Sequence, residues 1–197
     1  MTLQEIGNRG VFLLGCGKMG SAMLAGWLAG GLAPSSVWVI DPKPSDWLSG
    51  LAGEGLHLNE GLPESPIVAV MAVKPQMMSE AVPNAQSLGG GGTVILSIAA
   101  GTPISFFEDA FGGGTPIVRA MPNTPAAVGR GITALVGNAA TSTDQMAIAE
   151  ELLSSIGQVV RVEDEGQMDA VTAVSGSGPA YVFHLIETLA EAGVAEG

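Results

Sequence analysis

The sequence predicts an α/β protein with a doubly wound, mostly parallel sheet, followed by the beginning of an all-α region. Three observations carry this reading. Short, wholly apolar runs alternate with helix-patterned stretches along the first 162 residues. Runs such as IVAVMAV at 67–73 lack polar alternation, as strands covered on both faces do. After Glu163 strand-like runs cease and only helical patterning continues. Strand–helix alternation of this kind makes parallel pairs joined by right-handed crossovers.

The elements follow in order. A first buried strand covers 11–14, and the helix after it places Met19, Ala22, Met23, Gly26 and Trp27 on one face. A second strand at 37–40 ends at Asp41, before a PKPS turn. Further strands are expected at 67–73, 93–98, 116–120, 132–136 and 159–162, with helices at 76–88, 103–111 and 143–156. Thr102 is the expected cap of the 103–111 helix, with Pro103 in its first turn. A boundary near Val162 divides a domain at 1–162 from the start of a helical domain at 163–197. One or two helices seldom bury their own apolar face, so that second unit is expected to be truncated or completed by a partner chain.

Composition excludes several classes. Nineteen acids against seven bases give a net charge of −12, which repels phosphate backbones and anionic membranes. No apolar run approaches the ~20 residues of a spanning helix, and the start, MTLQEIGNRG, carries an acid where a signal peptide has bases. A cytoplasmic protein is expected. Cys16 is the one cysteine, so no intrachain disulfide forms, and with no histidine nearby in sequence it reads as a packing residue. His57 and His184 are isolated, and no metal site is expected.

Several stretches carry chemistry. GCGKMG at 15–20 sits between a strand and a helix. There Gly15 makes the tight turn, Gly17 admits a pyrophosphate and Gly20 allows close helix packing over a positive helix terminus. Asp41 lies 21 residues after Gly20, where a ribose-binding acid is expected. An acid there favours the 2′-hydroxyl of NAD over the 2′-phosphate of NADP, and Lys43 offsets that charge, so the choice stays open. AVKPQ at 72–76 would bring strand-end backbone at Val73 and the Lys74 ammonium to the carboxyl edge of the sheet. SIAAGT at 97–102 and RAMPNTP at 119–125 fall at the same edge, the latter holding Asn123 between two prolines. SGSGPA at 175–180 reads either as a helix–helix turn or as a nest of N–H groups and two hydroxyls for a small carboxylate.

GCGKMG, AVKPQ, SIAAG, RAMPNTPA and DAVTAVSGSGPAY, in this order across nearly the whole chain, resemble the pyrroline-5-carboxylate reductases. The last two are the most specific. The resemblance implies a Rossmann domain followed by a helical domain that interlocks with another subunit's, hence a homo-oligomer, dimeric or larger. It implies hydride transfer from NADPH, or NADH, to the C=N bond of Δ1-pyrroline-5-carboxylate, giving L-proline in the last step of proline biosynthesis. It assigns the cofactor to Gly15, Cys16, Gly17, Lys18, Met19 and Gly20, with Asn59, beside the Asp41 and Lys43 that the spacing already points to. Beyond these it adds Ala72, Val73, Lys74, Ala99 and Ala100, and puts Asn123 near the nicotinamide. Glu165, Ser175, Gly176, Ser177 and Gly178 would face the substrate.

Two departures stand out. Relatives continue further, with a late SPGGTT-like segment whose hydroxyl assists imine protonation; it is absent from these 197 residues, so no catalytic residue is assigned. On that ground the chain is expected to be poorly active and a monomer or unstable dimer, or to serve as a nucleotide-binding fragment without turnover. Many relatives also carry a phosphate-friendly residue at the position of Asp41. A related reductase of β-hydroxyacids would need a lysine in the second domain, and none follows Lys74.

Overall fold

The apolar runs do form strands, and their side chains divide by the period of two between opposite faces. The structure is a computed structural model that describes residues 2–197. Its strands are β1 (Val11–Leu14), β2 (Val37–Ile40), β3 (His57–Leu58), β4 (Val68–Met71), β5 (Val94–Ser97), β6 (Ile117–Met121), β7 (Gly131–Gly137) and β8 (Gly157–Arg161). The helices are α1 (Leu3–Gly7), α2 (Lys18–Ala29), α3 (Asp46–Ala52), α4 (Met78–Ala81), α5 (Ile104–Phe111), α6 (Thr143–Ser154), α7 (Gln167–Val171) and α8 (Gly178–Glu196).

Strand order is β3-β2-β1-β4-β5-β6-β7-β8, so the order reverses at β1, between β2 and β4. Every pair is parallel except β6–β7. That exception has a length argument: residues 122–130 are shorter than the dozen or so a parallel crossover needs. Val11 and Leu13 of β1, Val68 and Val70 of β4, and Val94 and Leu96 of β5 join one core with Met23, Leu24 and Trp27 of α2 and Leu152 and Leu153 of α6. Phe12, Leu14, Ala69, Met71 and Ile95 point the other way, into a second core with Met78, Phe107 and Phe111.

Several local expectations are corrected. The helix expected at 76–88 is broken into a 3-10 turn (Pro75–Met77), α4, and a second 3-10 stretch (Val82–Leu88). Pro83 lacks an N–H and crowds the preceding turn, which ends regular helix there. Thr102 does not cap α5; the N-cap is Pro103, which has no side chain able to do so. The short β3 and the small helices α1 and α3, capped by Thr2 and Ser45, went unforeseen. Beyond β8, SGSGPA is not a turn between separate helices. A π turn at Thr172–Gly176, with Ser177 N–H donating to the Thr172 carbonyl at 2.9 Å, joins α7 to α8.

α8 leaves Tyr181, Val182, Phe183, Leu185, Ile186 and Leu189 exposed. Among the described residues no helix is long and apolar enough to cross a membrane.

Trp27 ties two layers together. Its ring is wholly buried and its indole N–H donates to the Leu152 carbonyl at 2.9 Å. Trp27→Ala is expected to lose about 3–5 kcal/mol of unfolding free energy in urea titration. A loss below ~1 kcal/mol would contradict a close-packed contact between α2 and α6.

Candidate functional site

The strand ends put the expected residues along one edge. Leu14 stands in register with Ile40 and with Met71, Met71 with Ser97, and Ser97 with Arg119. The glycine turn, Asp41, Ala72–Lys74, Ala99–Ala100 and Asn123 therefore leave the sheet side by side, around the point where strand order reverses.

The glycine turn is built by close approach. Gly15 has φ +88, open to glycine, and a Cβ there would stand 2.8 Å from the Val73 side chain. A Cβ on Gly20 would lie 2.6 Å from the Gly15 carbonyl oxygen. Gly17, the N-cap of α2, has nothing within 4 Å of its Cβ position and no side chain with which to cap the helix. The first N–H groups of a twelve-residue helix thus face open space beside a positive dipole end. These features fit a dinucleotide's pyrophosphate.

Asp41 braces the turn. Its Oδ2 accepts from Cys16 N–H at 2.7 Å and its Oδ1 from Lys43 N–H at 2.8 Å. A carboxylate has about four acceptor positions, so room is left for ribose hydroxyls. Asn59, the one non-glycine residue at positive φ (57) among those described, pairs its amide with the Asp41 backbone through two 2.9 Å hydrogen bonds. Its side chain pins the end of β2 to the end of β3. Beside it opens a cleft of about 320 Å³ between Ile40, Pro42, Asn59, Val73, Met77 and Glu80. Its mostly apolar walls suit a flat heterocycle.

Charge converges on the same edge. All three lysines of the chain, Lys18, Lys43 and Lys74, follow the ends of β1, β2 and β4 in a protein of net charge −12. All three are exposed. On so acidic a surface, such a cluster raises the local concentration of an anion. Counting lysines in the sequence would have found this signal.

The Cys16 thiol is half-buried beside Asp41 and held in its protonated form. Burial, and then the Asp41 charge, push its thiol pKa up to about 12. Among the described residues, no group of three His, Cys, Asp or Glu side chains is arranged to hold a metal.

On the other side of the edge, Asn123 is buried. Its Oδ1 accepts from Ile132 N–H at 2.9 Å and its Nδ2 donates to Ser175 Oγ at 3.3 Å. Ser177 spends its N–H and hydroxyl proton on the Thr172 carbonyl, at 2.9 and 3.0 Å. The open N–H nest considered for SGSGPA is therefore not formed at Ser177, because the π turn consumes that donor. Ser175 keeps a hydroxyl proton to donate. A Cβ on Gly176 would stand 2.7 Å from the Met121 terminal methyl carbon, whereas Gly178 faces open space. Glu165, expected at the substrate, has its Oε1 on Arg119 Nη1 at 2.7 Å and on Ile104 N–H at 2.8 Å. Arg119 lay inside a recognised motif but received no role, since nothing in sequence pairs it with a residue 46 positions away.

Known proteins match this arrangement. The family described as "Pyrroline-5-carboxylate reductase dimerisation" matches residues 165–197, and "NADP oxidoreductase coenzyme F420-dependent" matches 10–101. A pyrroline-5-carboxylate reductase of Methanosarcina acetivorans is 34% identical over 194 residues, 96% of this chain and 72% of the relative. The solved pyrroline-5-carboxylate reductase of Coxiella burnetii superposes with a TM-score of 0.85 at 31% identity, over 95% of this chain and 71% of that one. The Plasmodium falciparum enzyme, solved with NADP bound, gives 0.84 at 29% identity, over 96% and 71%.

At pH 8 a thiol of pKa about 12 is ionised in only about one molecule in ten thousand, so iodoacetamide should modify Cys16 far more slowly than a free thiol. The rate should keep climbing with pH beyond 9. Labelling at the free-cysteine rate would refute the half-buried environment beside Asp41.

Proposed function

We propose a function from one premise: the chain belongs to the pyrroline-5-carboxylate reductase family. The protein reduces Δ1-pyrroline-5-carboxylate to L-proline with a nicotinamide dinucleotide, NADPH being the expected donor and NADH a usable one. The observation that carries this reading is the Asn123–Ser175 contact. It sets the edge that fits a dinucleotide directly against the SGSGPA stretch.

The residues divide the work. Gly15–Gly20 would take the pyrophosphate on the α2 terminus, with Lys18, Lys43 and Lys74 supplying the countercharge. Asp41 and Asn59 would hold the adenosine ribose, with the heterocycle in the cleft beside Ile40 and Pro42. Ala72, Val73, Ala99 and Ala100 would line the path toward the nicotinamide, their short side chains letting the backbone come close. When bound, the dinucleotide supplies the hydride that the imine carbon accepts, while the ring nitrogen carries a proton and becomes the amine. Asn123, held by Ile132 N–H, fixes one wall of the reacting space. Ser175 directs its hydroxyl proton to the substrate carboxylate, and Gly176 and Gly178 leave room for the ring. This chain's contribution is alignment of two reactants, which by itself accounts for a large share of a bimolecular barrier.

Residues 1–162 form the dinucleotide-binding unit and 163–197 open the helical one. The exposed apolar residues of α8 are the surface a second copy would cover, making a cytoplasmic homodimer or larger assembly. Light scattering on these 197 residues is expected to read between one and two times the 19.8 kDa chain mass, rising with concentration, and a robust large ring would remove that part of the proposal.

The activity itself is tested by following NADPH and NADH oxidation with Δ1-pyrroline-5-carboxylate, alongside cofactor binding by fluorescence. Turnover that depends on the imine is expected. Tight cofactor binding without turnover, persisting when the SPGGTT-like segment of relatives is restored, would point to a nucleotide-binding role and overturn the reductase.

A further inference from the structure

We infer that Glu165 is a positioning residue that clamps the cofactor side and the substrate side of the site into one unit, acting through Arg119 and the Ile104 N–H. The inference rests on the reductase reading for its effect on turnover; the clamp itself rests on geometry. Arg119 lies in β6 between Ser97 of β5 and Val136 of β7, and only 7% of it is exposed. A guanidinium in such a place needs a partner, because an unpaired buried charge is strongly destabilising. Glu165 is that partner at 2.7 Å, and among the described residues no other carboxylate pairs with Arg119.

The same carboxylate oxygen does a second task. α5 begins after Pro103 with no side-chain cap of its own, and its first N–H, that of Ile104, donates to Glu165 Oε1 at 2.8 Å. A carboxylate at a helix N-terminus both fills an orphan donor and meets the positive end of the dipole. So Glu165 caps from 61 residues away the helix that SIAAGTP leads into, the stretch carrying Ala99 and Ala100.

Of the three acids in EDE at 163–165, Glu165 alone reaches the sheet. Asp164 accepts locally from Gly166 N–H, and the Glu163 N–H donates to Gln167. One turn further on, Met168 is fully buried in the core that holds Ile104 and Phe107. Ser175 then meets Asn123, and Gly176 lies against Met121. The chain from 165 to 176 is thus fastened at successive points to the edge, and Glu165 is its one charged fastening.

The test compares E165Q, E165M, R119M and the double variant R119M/E165M by three readouts. Backbone hydrogen exchange in 98–106 and 165–177 is expected to rise together by about tenfold or more in E165Q and E165M, with β4 unchanged. Thermal stability should fall in E165M and recover in the double variant, since removing both partners leaves no buried charge. In turnover, kcat should fall by about tenfold or more in E165Q and in the double variant, while KM for the imine shifts less than about threefold. A kcat deficit that persists in the restored double variant is what a merely stabilising ion pair would not produce. An imine KM raised about tenfold in E165Q, with kcat and exchange unchanged, would make Glu165 a substrate ligand and overturn the inference. Unchanged exchange in both Glu165 variants would overturn it as well. Should no imine reduction appear even with the SPGGTT-like segment of relatives restored, the reductase reading fails separately, and exchange and stability still decide the clamp.

Discussion

The site depends first on how closely α2 approaches the end of β1. Gly20 stands so near the Gly15 carbonyl that a single methyl would come within 2.6 Å. Only a helix seated this low brings its uncapped terminus level with the ends of β2 and β4. Asp41 then reaches the Cys16 N–H at 2.7 Å, which locks the turn to the neighbouring strand. Asn59 accepts a left-handed backbone to complete the brace.

Against this rigid half the chain sets a second, held by different physics. The glycine turn is shaped by the absence of side chains; the 165–176 segment is held by their presence. Glu165, Met168 and Ser175 supply in turn an ion pair, buried apolar surface and a hydrogen bond. A protein with 19 acids and seven bases nevertheless spends three of those bases beside the turn and buries a fourth under Glu165. Scarce positive charge is concentrated where an anion or an anionic side chain must be held.

Most of the framework was legible in the residues. The strands at 11–14 and 37–40 read correctly because both are wholly apolar and flanked by turn formers. The glycine turn and Asp41 lie at the strand ends, where their spacing along the chain places them. Failures came where local signals compete. Thr102 has the chemistry of a cap and Pro103 that of a first turn, yet the cap came from Glu165. The 76–88 stretch has helical composition, but Pro83 divides it. At SGSGPA two glycines and a proline suggest a break, whereas a widened turn carries the helix through with a hydrogen bond five residues long.

By itself, then, the sequence determined the α/β class, the turn that fits a dinucleotide and the row of residues at the sheet's carboxyl edge. Each follows from periodicity or from short fixed spacing, which local geometry converts directly into position. Tertiary structure alone decided the pairing of Arg119 with Glu165 and the contact of Asn123 with Ser175. Those joins span 46 and 52 residues of chain, and their partners meet only after the sheet has set where each segment ends. No local propensity encodes such a distance. It is the packed edge that turns three separated motifs into one site.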